Sequence, residues 1–224
     1  MALLEIRGLK KTFYTREHEV SAEVTLERLE LEAGAELVLD GPSGSGKTTI
    51  LHMVSGLIAP DAGQILFSGQ ELTALGEKEQ AAVRLFNIGY IFQRLNLLDE
   101  LTVKENILLS LVWRRDKDVA GIRKRAGELL SYVGLGGKGS SYPRSLSIGE
   151  QQRAAVVRAM LFKPRLLLAD EPTASLDAAN ALKVLELMRV LCQECGTALL
   201  LSTHDESVKA RFERRYSLRR GAYA

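Results

Sequence analysis

The run Gly41-Pro42-Ser43-Gly44-Ser45-Gly46-Lys47-Thr48-Thr49 follows directly on the apolar residues Leu37, Val38 and Leu39. Packing gives no reason for three glycines there, because glycine weakens helix and strand alike. A loop that wraps closely around a ligand does give one. The spacing fits G-x-x-x-x-G-K-[ST], in which backbone N–H groups cradle a phosphate chain. The helix that follows adds the positive end of its dipole. In this reading Lys47 reaches the β- and γ-phosphates and the Thr48 hydroxyl ligates Mg²⁺.

"LLLADE" supplies a second piece of chemistry. Leu166 to Ala169 read as a buried strand that ends in Asp170 and Glu171. Beside bound phosphates, Asp170 is suited to hold Mg²⁺ through its water shell, and Glu171 to polarise an attacking water. The bland alternative is that the two carboxylates cap the turn begun by Pro172. A third piece is "SYPRSLSIGEQQR", where Ser147 and Glu150 have the spacing of a capping box. It predicts a helix from about Ile148 to Leu161, stopped by Pro164. The same helix start, with Ser147 and Gly149, could receive a γ-phosphate.

The elements that must position these residues follow from periodicity. "ALLEIRGLKKTFY" and "EVTLERLELEAGAELVLDG" alternate with period two, interrupted at Ala33-Gly34, which predicts a small antiparallel sheet feeding a buried strand that ends at Asp40. "TTILHMVSGLIAP" reads as a helix running up to Pro60, and "GQILFSG" as a strand. From about residue 94 to 161 the apolar positions recur at helical spacing, which predicts a helical insertion within a single domain spanning 1–224. Two apolar strands return at "RLLLAD" and "TALLLST", each after a helical segment. Such strands argue for a mostly parallel sheet with helices on both faces.

Bulk properties narrow the classes. The 224 residues are enough for a real core, and 30 basic against 28 acidic residues leave a net charge of +2, too little for a strong nucleic-acid binder. "RFERRYSLRR" near the C-terminus is locally basic and reads as a solvated surface strand or tail. Cys192 and Cys195 end a helical run on the face of Leu185 and Met188, so they read as buried free thiols rather than a redox or metal pair. No apolar stretch reaches the ~18–20 residues that span a bilayer. "MALLEIRGLKK" carries charge too early for a signal peptide. A soluble chain in the cytoplasm is expected.

The ordered set Gly41–Thr49, Gln93, Leu146–Glu150, Leu166–Glu171, Ser175-Leu176-Asp177 and His204 resembles the ATP-binding subunits of ABC transporters, over essentially the whole chain. "IGYIFQRLNLLDELTVKENI", "LLADEPTASLD" and "STHD" resemble the lipoprotein-release, macrolide-export and cell-division branch. The resemblance implies an α/β fold: a P-loop NTPase core, an N-terminal antiparallel β subdomain and a helical subdomain. It implies ATP and Mg²⁺ as ligands, with Phe13 stacking on adenine, or Tyr14 if the register slips by one. Gln93 would join Thr48 at Mg²⁺, His204 would contact the γ-phosphate, and Asp177 would sit at a dimer seam. The family works as a head-to-tail pair, so the chain is expected as a homodimer or beside a paired ATPase subunit, each ATP lying between one P-loop and the other subunit's Ser147–Glu150.

The resemblance further implies an integral membrane permease subunit as partner, docked on a groove of the helical region, and a peripheral location on the inner face of the cell membrane. Too few residues follow Glu206 for an attached sensing domain. Export or extraction from the membrane is the expected task. A signalling or mechanical module without cargo, and a soluble ABC ATPase acting on DNA or ribosomes, are the alternatives. One residue departs from the family pattern: Ile148 stands where the signature has its first glycine, adding bulk and restricting backbone angles.

Overall fold

The structure, a computed structural model, describes residues 2–218. Its chain order begins with β1 (Ala2–Tyr14), β2 (Val20–Glu32), β3 (Glu36–Asp40), α1 (Lys47–Val54), β4 (Ala62–Phe67), β5 (Gln70–Glu71), α2 (Glu77–Asn87) and β6 (Ile88–Ile91). It continues with α3 (Val103–Leu108), α4 (Leu111–Arg114), α5 (Val119–Tyr132), α6 (Ile148–Met160), β7 (Leu166–Asp170), α7 (Ala178–Cys195), β8 (Ala198–Ser202), α8 (Glu206–Lys209) and β9 (Arg215–Ser217).

Two sheets result. One is antiparallel, in the order β2-β1-β4-β5; the other is parallel, in the order β6-β7-β8-β3-β9. The side chains of β7 show how the layers are organised. Leu167 and Ala169 face a core shared with α3, α5, α6 and α7, whereas Leu166 and Leu168 face one shared with α1 and the antiparallel sheet. Successive strand residues point to opposite faces. A strand buried on both sides must therefore be apolar along its length, and β7 and β8 are apolar up to their last residues, Asp170 and Ser202.

Among the described residues no strand lies between Ile91 and Leu166. The helix after the phosphate loop is shorter than its periodicity predicts: α1 stops at Val54 rather than just before Pro60. The cause is local. Ser55 Oγ donates to the His52 carbonyl at 2.9 Å, and Gly56 turns left-handed at φ 68°. The helix α2 is an element the apolar pattern did not reveal, because it buries none of its residues. Its start was marked by Glu79, whose carboxylate accepts the Gly76 N–H at 3.0 Å.

The basic segment near the C-terminus forms the exposed edge strand β9, with Leu218 buried behind it; Arg219 and Arg220 lie outside the described residues. Cys192 is buried and Cys195 half-buried, so only the first is fully sequestered as expected. Among the described residues no helix is long and apolar enough to cross a membrane.

Candidate functional site

The phosphate loop connects the end of β3, which lies between β8 and the edge strand β9 of the parallel sheet, to α1. Gly44 and Gly46 are left-handed, at φ 78° and 93°. At Gly46 the requirement is double, since a Cβ there would lie 2.5 Å from Val24 Cγ1. The loop curls so tightly that Lys47 Nζ donates to its own carbonyls, to Gly41 at 2.7 Å and Pro42 at 3.2 Å.

A cavity of about 520 Å³ opens over this loop. It is lined by Phe13, by Ser43, Gly44, Ser45, Gly46, Lys47, Thr48 and Thr49, and by Gln93, Glu171 and His204. Six separate segments, counting β2, thus meet at one place. Gly41, the first residue of the loop, does not line the cavity. Phe13, rather than Tyr14, faces the cavity: a register shift between the two residues turns them apart, and Tyr14 stands exposed outside it. Ala22 and Val24 also line the cavity, and no motif in the sequence singles them out.

Asp170 and Glu171 leave β7 in different directions. Asp170 is buried and accepts the Ser202 hydroxyl at 2.6 Å. Glu171 sits at φ 45°, a left-handed angle uncommon outside glycine, which turns its carboxylate out of the strand line. Its N–H donates to Ser202, to the hydroxyl and to the carbonyl, both at 3.1 Å. Its Oε1 lies 3.7 Å from Lys47 Nζ and accepts from His204 Nδ1 at 2.9 Å. The two carboxylates therefore do not cap the turn after Pro172. Ser202 ties the two residues together, holding the Asp170 carboxylate through its hydroxyl and the Glu171 backbone through its hydroxyl and carbonyl.

Ser147 and Gly149 are elsewhere. Ser147 caps α6, accepting the Glu150 N–H at 3.4 Å, while Glu150 accepts the Ser147 N–H at 2.8 Å. Neither lines the cavity of its own chain. Ile148 is half-exposed on the first turn of α6 and is absent from the left-handed residues. The backbone freedom of a glycine is therefore not needed there, and only the bulk of the isoleucine remains as a departure. Asp177 is exposed and caps α7, accepting the Asn180 N–H at 2.9 Å.

A second concavity, a groove of about 700 Å³, lies between α2, β6 and the helical segment, with Phe86, Tyr90, Trp113, Arg114, Arg158 and Phe162 in its wall. Its lining ends on β6 at Tyr90, three residues before Gln93, which lines the first cavity. Tyr90 stacks on Phe92 at 4.1 Å, and Arg158 on α6 donates to the carbonyls of Leu95 and Asn96 at 2.5 and 2.6 Å.

The cavity fits a nucleoside triphosphate. Ser45 Oγ is buried without a hydrogen-bond partner, and the left-handed glycines leave backbone where side chains would otherwise fill the cradle. Among the described residues no three His, Cys, Asp or Glu side chains cluster to hold a metal by themselves. That suits Mg²⁺, which takes one or two protein oxygens together with phosphate oxygens and water.

Fold and cavity together define a P-loop nucleotide-binding cassette. A profile of the ABC transporter family matches residues 26–174. The lipoprotein-releasing system ATP-binding protein LolD of Shewanella oneidensis is 38% identical over 221 residues, 98% of this chain and 94% of that protein. LolD of Psychrobacter arcticus is 39% identical over 98% of this chain and 97% of its own length, and LolD 2 of Rhodospirillum rubrum is 40% identical over 97% and 94%. Among solved structures, the dimeric bacterial ABC transporter cassette MJ0796 superposes with a TM-score of 0.84 at 32% identity, covering 96% of this chain and 94% of that one. The same cassette bound to ADP and Pi, after hydrolysis, superposes equally well. The chain belongs to the ABC transporter family, as an ATP-binding and ATP-hydrolysing cassette.

Proposed function

We propose that this chain hydrolyses ATP at the Gly41–Thr49 cavity to drive a membrane-spanning partner that extracts or exports a lipoprotein. The observation that carries the mechanism is a separation. Ser147, Gly149 and Asp177 lie on the surface outside the cavity that holds the loop, Gln93, Glu171 and His204. A second ATPase subunit arranged head to tail brings the two halves together over one ATP. The phosphates lie on the loop amides and Lys47, and adenine on Phe13. Contacts from the second subunit's Ser147–Glu150 segment to the γ-phosphate exist only before cleavage, so ATP closes the pair and hydrolysis loosens it.

Glu171 accepts the proton of the attacking water, and His204 holds that carboxylate in place. Thr48, Gln93 and Asp170 are the groups suited to Mg²⁺, which supplies charge neutralisation at the β- and γ-phosphates when bound. ATP displaces Lys47 from its contacts to Gly41 and Pro42, because phosphate oxygens are the stronger acceptors.

The groove beside β6 has the size and the apolar wall to receive a cytoplasmic helix of the partner. Through Phe92, Gln93 and Arg158, movement there reaches the nucleotide cavity. The chain lies peripherally on the inner face of the membrane in this arrangement. Lipoprotein as cargo rests on the names of the relatives and on identity extending over almost the whole chain.

Affinity capture of the Glu171→Gln chain with ATP from detergent-solubilised native membranes tests this reading. The expected result is a polytopic partner with an extracytoplasmic domain that binds lipoprotein. Recovery of soluble proteins or nucleic acid alone, with ATP still bound, would overturn it.

A further inference from the structure

Lys209, on the short helix α8, is a cation the motif chemistry does not use, and it is buried, with only 7% of its side chain exposed. Its Nζ lies 2.8 Å from Asp40 Oδ1 and 2.6 Å from Glu206 Oε1. Asp40 is the last residue of β3, directly before the phosphate loop. The same Oδ1 accepts the Gly41 N–H at 2.7 Å, and the Gly41 carbonyl in turn accepts from Lys47 Nζ. One carboxylate oxygen therefore joins a residue of α8 to the first peptide of the loop. The helix α8 starts right after His204, with Asp205 as its cap, so the chain returns from the γ-phosphate side of the cavity to its floor.

A carboxylate at this position presents a hazard. Asp40 is about three-quarters buried, close enough to the loop that Lys47 contributes to holding its carboxyl below the usual range, after the larger effects of Lys209 and the Gly41 N–H. Left without Lys209, its charge would compete with the triphosphate for Lys47. A partly buried charge that loses its partner seeks another.

We propose that Lys209 is a positioning residue for the phosphate loop: by neutralising Asp40 it fixes the Gly41 amide and leaves Lys47 free to take the phosphates. This rests on the reading of Gly41–Thr49 as the ATP site. Lys209 touches no phosphate and acts through Asp40.

The test is the Kd of a fluorescent ATP analogue with Mg²⁺, measured on the full chain, with thermal melting alongside. Lys209→Met is expected to raise Kd about tenfold, equivalent to about 1.4 kcal/mol. Asp40→Asn/Lys209→Met, which removes both charges and keeps an oxygen for the Gly41 N–H, returns Kd to near the wild-type value even if it melts lower. Asp40→Asn keeps an oxygen for the Gly41 N–H, loses the competing charge and binds at least as tightly as wild type. Glu206→Gln leaves the Asp40 pair intact and binds like wild type. The proposal fails if Lys209→Met binds like wild type, if the double variant binds no better than Lys209→Met, or if Asp40→Asn weakens binding. Should Lys209→Met not fold, the double variant and Asp40→Asn still decide the matter. A wild-type chain that binds no nucleotide overturns the site reading itself, and the proposal with it.

Discussion

His204 Nδ1 lies 2.9 Å from Glu171 Oε1, across the gap between the ends of two neighbouring parallel strands. The carboxylate can only accept, so the Nδ1 proton lies on the histidine side and Nε2 is left for a ligand. Two residues 33 positions apart in sequence become one unit, because β7 and β8 pair in register and end at the same level. The carboxylate proposed as the general base is thus held by an imidazole and approached by Lys47 at 3.7 Å.

Glu171→Gln keeps the shape of this unit and removes the base. ATP hydrolysis is expected to fall by roughly 10²-fold or more, the share a positioned general base contributes. ATP binding persists, so the variant elutes as a dimer with ATP and as a monomer without it. Steady-state phosphate release and size-exclusion chromatography read the two outcomes. Undiminished hydrolysis would remove Glu171 from its proposed role.

Ile148→Gly tests bulk alone, since Ile148 already has an ordinary helical backbone. Clearing the surface that meets the second subunit's ATP is expected to raise the ATPase rate by roughly threefold to tenfold, equivalent to about 0.6–1.4 kcal/mol. An unchanged or lower rate would show that the isoleucine does not crowd the composite site.

Gly46→Ala meets two obstacles. A left-handed backbone costs a residue with a Cβ about 1–2 kcal/mol, and that Cβ would press on Val24. The melting temperature should drop by several degrees and nucleotide binding should be lost. Adding Val24→Ala relieves the contact without relieving the backbone angle, so stability returns only in part. Complete recovery in the double variant would mean that the φ of 93° costs nothing.

Acid should weaken the start of α6. The Ser147 N–H, and then its hydroxyl, hold the Glu150 carboxyl below the usual range. A carboxyl lowered in the folded state stabilises at pH above its unfolded value, about 4.3, and that contribution is lost as pH falls through the lower folded value. Melting temperatures of wild type and Glu150→Gln, followed from neutral pH into acid, should converge. Parallel curves would show that the contact contributes nothing.

Burial pushes the Cys192 thiol up to about 12, so a thiol reagent at mildly alkaline pH should modify Cys195 and spare Cys192 until the chain unfolds. The folded state favours the protonated thiol, so this contribution to stability is complete below the ordinary thiol range and is lost as pH rises toward 12. Mass spectrometry of alkylated native protein checks the order of reaction.

Much of the site could be read from the sequence, because its chemistry is local. The turn demanded by Gly41–Lys47, the capping box of Ser147 and Glu150, and the apolar strand ahead of Asp170 are each written within about ten residues. The same holds for β1 and β2, whose alternation is a direct record of one buried face. The helix α2 was not legible, since it buries no residue fully and rests on the core only through half-buried side chains such as Val83. Periodicity overstates the length of α1, because Ile58 is apolar but follows the left-handed turn at Gly56.

Residue identity and spacing by themselves determined that a phosphate-binding loop, a pair of carboxylates and a capped helix exist in this chain. Those features depend on backbone angles and neighbours close in sequence. Only the tertiary structure decided which of them meet. It turned Phe13 rather than Tyr14 toward the cavity, set Ser202 against the Asp170 carboxylate and the Glu171 N–H, placed Lys209 against Asp40, and left Ser147 and Gly149 outside their own chain's cavity. Contacts across 30 to 170 residues depend on strand order and register, which arise when two layers bury their faces on one sheet, and no local pattern carries them.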